Sequence, residues 1–119
     1  MTVRVLVTGG RDYVDASTVQ RTLDELDQQL GIVAVIEGGA LGADAGTRWW
    51  AWSRGMMPET YKAAWRYLGP SAGPRRNTTM LENSRPDLVI AFPGGVGTKD
   101  CVTKAIARGI KVLYAGRRT

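Results

Sequence analysis

The sequence predicts an α/β domain built on a parallel sheet, and three observations predict it. Short apolar runs alternate with longer stretches of helical periodicity along the whole chain. Those runs are nearly continuous in hydrophobicity, as in strands covered on both faces. Glycine-rich turns follow three of them, where a parallel sheet places its functional loops.

Val3–Thr8 reads as the first strand, rich in β-branched residues and closed by Gly9-Gly10. Asp15 or Ser17 can cap a helix running to about Leu30, with Val19, Leu23, Leu26 and Leu30 on one face. Gly31 stops it. Ile32–Ile36 is a second buried strand, closed by Gly38-Gly39, and a helix from Ala43 to Arg54 follows, ended by Gly55. Thr60–Ala63 is a weak third strand. Gly69–Pro74 reads as a loop leading to a helix of about Arg75–Asn83. The strand Leu88–Phe92, the helix Lys99–Ala107 and the strand Lys111–Tyr114 complete the chain. This alternation implies right-handed crossovers. The expected product is a small Rossmann-like three-layer sandwich with a five-stranded parallel sheet in the order 3-2-1-4-5. The 119 residues suit one domain spanning positions 1–119.

Composition narrows the chemistry. A hydrophobic fraction of 44% is ordinary for a globular domain, so disorder is expected only at the ends. With no histidine, histidine triads and histidine-ligated zinc are excluded, and neither a metal nor a cofactor is expected. Cys101 is the single cysteine, so no intrachain disulfide can form. No apolar run approaches a membrane span, and Met1-Thr2-Val3-Arg4 leads directly into a strand without a secretory pattern. A cytoplasmic protein with no membrane partner is the expectation. The net charge of +5 allows polyanion binding, yet the only basic doublets are Arg75-Arg76 and Arg117-Arg118, the latter reading as a solvated tail.

In the order 3-2-1-4-5, strands one and four lie side by side and their connections leave in opposite directions, which opens a crevice for ligands. Its borders are Thr8–Tyr13 and Pro93–Thr98, and Gly38–Asp44 falls on the same rim. Pro93-Gly94-Gly95-Val96-Gly97-Thr98 stands between a strand and a helix, where free amides and the positive helix end suit phosphate. Thr98 can donate its hydroxyl there, or act as a cap alone. Gly9, Gly10 and Arg11 form a second cradle, with Arg11 offering a planar cationic fork, or pairing with Asp12 or Asp15. Asp12 can accept from a ribose or shape a turn. Gly38, Gly39 and Gly42 shape the rim, while Asp44 can bind ribose or hold a loop. Arg75 and Arg76 at a helix start conflict with the dipole, which hints at an anion; Asn77 can read a base or brace a loop. Cys101, near a helix start, is either a thiol activated by the dipole or a small semi-buried residue. Trp49 and Trp52 share a helical face that Trp50 leaves, suggesting core and subunit contacts, whereas Trp65 and Tyr67 are placed to flank a ligand.

Four ordered motifs resemble the SLOG superfamily (Smf/DprA and LOG-like proteins), most closely its small YspA-like group. They are Thr8–Tyr13, Gly38–Asp44, Ala72-Gly73-Pro74-Arg75-Arg76-Asn77 through Met80, and Asp87–Thr98. The resemblance implies a Rossmann-like domain for nucleotides or nucleotide-derived molecules, and it implies no single reaction. The phosphoribohydrolases of this superfamily carry Pro-Gly-Gly-x-Gly-Thr-x-x-Glu and an upstream Arg-Lys-x-x-Met element. Here the glutamate position is Cys101, and the upstream element reads Arg76-Asn77-Thr78-Thr79-Met80. Asp100 lies one residue early, turned roughly 100° around the helix. The departure argues against carrying over the enzymatic activity.

The leading expectation is a binding domain for a nucleotide-like small molecule of ADP-ribose type, used for sensing or sequestration. Its contacts would be Gly9, Gly10, Arg11, Asp12, Gly38, Gly39 and Asp44 on one side. Arg76, Asn77, Pro93, Gly94, Gly95, Gly97 and Thr98 would supply the other. The alternative is a nucleotide hydrolase at the N-glycosidic bond, drawing on Arg76 and Asp100, with Asp12 or Asp44 as further acid–base candidates. DprA-like nucleic-acid binding comes third and is not favoured, because no long basic stripe supports it. A homodimer is expected from the tryptophan helix and the resemblance.

Overall fold

The computed structural model describes residues 2–116. The elements run β1 (Val3–Thr8), α1 (Ala16–Leu30), β2 (Ile32–Glu37), α2 (Ala43–Ser53), β3 (Glu59–Thr60), α3 (Trp65–Leu68), α4 (Ala72–Ser84), β4 (Leu88–Ala91), α5 (Val96–Ala107) and β5 (Lys111–Tyr114). The five strands form one sheet in the order β3-β2-β1-β4-β5, every neighbouring pair parallel. The Rossmann-like sandwich is the architecture the sequence predicts.

Alternation along β1 explains the layers. Val3, Val5 and Val7 point to one face, where they meet Val19, Leu23 and Leu26 of α1 and Trp50 of α2. Leu6 points to the other face, against Met80 and Leu81 of α4 and Cys101 and Ala105 of α5. Both faces are therefore covered, which is why the central strands lack polar alternation. Asp15 is the cap of α1: its carboxylate accepts the Thr18 amide at 3.1 Å and the Thr18 hydroxyl at 2.6 Å. These bonds hold the Asp15 carboxyl below its usual range.

Three boundaries differ from the sequence reading. β3 is only Glu59–Thr60, paired with Ile36 and Glu37, rather than Thr60–Ala63. Gly69–Pro74 is not a loop: a 3-10 turn spans Gly69–Ser71 and α4 already starts at Ala72. Pro74 fits there because the first helical turn needs no amide from it. Arg75 and Arg76 thus stand in the second turn, and their supposed conflict with the dipole disappears. α5 begins at Val96 rather than Lys99, with Gly95 as its cap residue, so Gly97 and Thr98 belong to the helix and Thr98 is not the cap. The Arg117-Arg118 doublet lies outside the described residues. Among those residues no helix is long and apolar enough to cross a membrane.

Candidate functional site

The loops after β1, β2 and β4 meet above the carboxyl edge of the sheet. The Gly10 amide donates to the Pro93 carbonyl at 2.8 Å, so the first and third loops touch and form a ridge. Two hollows flank that ridge. A cleft of about 470 Å³ lies between the ridge, the β2 loop and the start of α4. A wider hollow of about 980 Å³ lies against Tyr13, Phe92 and α5.

Most of the predicted site residues line the cleft, and Gly10, Gly95 and Thr98 border both hollows. Gly9, Gly10, Arg11, Gly38, Gly39 and Asp44 line the cleft from one side, and Arg76, Asn77, Gly95, Gly97 and Thr98 line it from the other. Asp12, Pro93 and Gly94 face the wider hollow. Asp100 lines neither: its carboxylate accepts the Asn77 side-chain amide at 3.0 Å and pairs with Lys104 at 2.9 Å.

The β2 loop is held from within. Glu37, fully buried, accepts the Gly39 amide at 2.7 Å and the Arg48 guanidinium at 2.5 Å, and Thr60 also donates to it. Arg48 reaches on to the Ala40 carbonyl at 2.9 Å. Asp44 accepts the Ala40 amide at 3.2 Å. Gly42 turns the chain at φ +70°, and a side chain there would overlap the carbonyls of Gly10 and Arg11. Sequence reasoning missed Glu37 and Arg48. The available signal was a glutamate closing a buried strand, which demands a cationic partner.

Arg76 joins this loop to the opposite wall. Its Nη1 donates to the Gly38 carbonyl at 2.6 Å and to the Tyr61 carbonyl at 3.2 Å, and its Nε donates to Asn77 at 2.9 Å. Its Nη2 has no acceptor among the described residues. A side chain at Gly38 would overlap the guanidinium, so that glycine makes room for Arg76. Asn77 is buried and also donates to the Gly97 carbonyl at 3.1 Å, fastening the start of α5 to α4.

The start of α5 is built differently. The first intrahelical bond is from the Lys99 amide to the Gly95 carbonyl at 3.0 Å, and no side chain caps the helix. The amides of Val96, Gly97 and Thr98 consequently have no acceptor among the described residues, as helix geometry requires of an uncapped end. A Cβ at Gly95 or Gly97 would meet nothing within 4 Å. Glycine there is not demanded by packing.

Two titratable groups differ in character. Burial pushes the Asp44 carboxyl up to about 6, reinforced by Glu37 and opposed by the Ala40 amide and the arginines Arg76 and Arg48. Burial likewise pushes the Cys101 thiol up to about 11, against a hydrogen bond with Thr8. Cys101 is fully buried in the second turn of α5, so the helix dipole does not activate it. Trp50 is in the core, while Trp49 and Trp52 stand exposed on α2, edge to face with ring centroids 5.6 Å apart.

The model of the YspA, cpYpsA-related SLOG family matches residues 3–67, which carry the first two loops. The gene 61 protein of Mycobacterium phage D29 is 39% identical over 121 residues, covering 95% of this chain and 96% of the phage protein. The chain belongs to the SLOG family. The family match ends before Arg76 and the third loop, but the similarity to the phage protein extends across them. SLOG membership points to nucleotide-related binding or processing.

Proposed function

We propose that the cleft binds a nucleotide or nucleotide-derived anion, with a phosphate on the first turn of α5 and Arg11 and Arg76 beside it. The observation that carries this reading is the uncapped α5 start, where free amides and two glycines with open space above them face the cleft. Arg11 is exposed at the rim, and the unpaired Nη2 of Arg76 adds a second cationic donor. Asp44 sits where a carboxylate can accept from ribose hydroxyls instead of facing phosphate. Sensing or sequestration of the ligand is the use that fits best, because Cys101 replaces the superfamily's hydrolytic glutamate and is buried beneath the cleft floor.

A second reading has one observation in its favour. Asp44 is a buried carboxylate in the cleft with a pKa of about 6, suited to proton transfer near neutrality. If the protein hydrolyses its ligand, Asp44 is the acid–base group, since Asp100 and Asp12 lie outside the cleft.

Mass spectrometry of small molecules released from the natively purified protein tests the main reading. A phosphate-bearing nucleotide-type compound is expected from the wild type, depleted in Arg11→Ala. Retention of no anionic compound, together with no binding across a nucleotide panel, contradicts it. Release of free base from that panel by the wild type, lost in Asp44→Asn, favours hydrolysis.

A further inference from the structure

Resting on the anion reading above, we infer that Trp65 is a stacking platform for an aromatic base, so the cleft selects a nucleoside phosphate over a bare sugar phosphate. Trp65 lies on α3 and lines the same cleft as Gly95 and Gly97. It is held in place but not covered. A Cβ at Gly73 would come within 2.9 Å of its Cη2 atom, so the benzo ring is seated against the backbone of α4, while the residue stays 57% exposed. Its indole N–H has no acceptor among the described residues, whereas the buried Trp50 donates to Asp24 at 2.8 Å. A tryptophan held along one edge and open on the cleft side is a ready surface on which a planar ring can stack.

Across the cleft, Leu41 projects from the β2 loop, 61% exposed, and also lines the cleft. Ala63 and Met80 add to the apolar lining. The cleft thus offers aromatic and apolar side chains together with free amides and guanidinium groups. The molecule that matches both has a planar ring joined to an anion, which is the chemistry of a nucleoside phosphate. Continuity with the α5 start commits this apolar wall to the base of that ligand.

The test compares adenosine 5′-monophosphate with ribose 5-phosphate by calorimetric titration in the wild type, Trp65→Ala and Trp65→Phe. The wild type is expected to bind the nucleotide about tenfold or more tightly than the sugar phosphate, within what base–aromatic stacking supplies. Trp65→Ala should erase that margin while leaving ribose 5-phosphate affinity within about twofold, and Trp65→Phe should restore most of it. Equal affinities for the two probes in the wild type overturn the inference and leave the anion reading standing. So does a margin that survives in Trp65→Ala. An equal loss for both probes in Trp65→Ala overturns it too, since the tryptophan then only supports the fold. Failure of both probes to bind the wild type overturns this inference, and the anion reading falls with it when the wild type also retains no anionic compound and binds no nucleotide of the panel.

Discussion

The loops after β2 and β4 are both glycine-rich, yet Gly38 and Gly42 of the one serve a different use from Gly95 and Gly97 of the other. In the β2 loop, Gly38 clears space for Arg76 and Gly42 lets the chain turn against the β1 loop, while Glu37 and Asp44 take up the Gly39 and Ala40 amides. In the β4 loop, Gly94 makes room for Thr98 and the Gly10 amide, but Gly95 and Gly97 clear space for nothing in the protein, and the amides that follow are free. The first loop is a braced frame and the second is an open cradle. Glycine density alone therefore does not locate a phosphate site; the fate of the amides does.

Substitutions can break this contrast, beginning with the frame. Glu37→Ala leaves Arg48 beside an emptied buried pocket and frees the Gly39 amide, and should cost about 3–5 kcal/mol, read by urea unfolding. Gly42→Ala forces a side chain onto a left-handed backbone facing two carbonyls and should cost about 2–4 kcal/mol in the same assay. Neither loss is expected from the equivalent change at Gly97.

Asp44 sharpens the contrast through pH. Its folded-state value of about 6 lies above the ordinary aspartate value of 3.8. Protonated Asp44 therefore contributes stability that is complete below about pH 4 and is lost as pH rises through about 6. Asp44→Asn can still accept the Ala40 amide. It should flatten the stability profile between those limits and raise stability at pH 7 by on the order of 2 kcal/mol. Thermal unfolding of both proteins across that range checks it, and parallel profiles contradict it. The smallest effect belongs to the cradle: Gly97→Ala should stabilise by about 0.5–1 kcal/mol, because helix propensity rises and nothing obstructs the new methyl group.

The sheet was legible because Val3–Thr8, Ile32–Ile36 and Leu88–Phe92 are apolar almost without interruption; the crossover rule implied a parallel sheet, and the order 3-2-1-4-5 came with the Rossmann-like expectation. β3 was misplaced because two residues joined to β2 by the ladder carry no periodic signal of their own. The start of α4 was hidden by Gly73 and Pro74, which read as breakers but occupy a first turn that tolerates both. In the site, the meeting of three loops followed from topology. The division of their residues into two hollows did not, because the Gly10–Pro93 contact that separates Asp12, Pro93 and Gly94 from the cleft is tertiary. Glu37 and Arg48 were missed for the same reason: their pairing bridges a strand end and a helix face that the sequence shows only as separate residues.

Gly97→Asp puts the central claim to its most direct trial. An aspartate in the first turn of α5 suits the helix dipole and its Cβ meets nothing within 4 Å, so the unfolding midpoint should hold or rise. The same carboxylate stands where a phosphate is proposed to bind. Calorimetric titration with adenosine 5′-monophosphate should show binding to the wild type and at least a tenfold loss in this variant. Unchanged affinity in a stably folded Gly97→Asp protein contradicts the account.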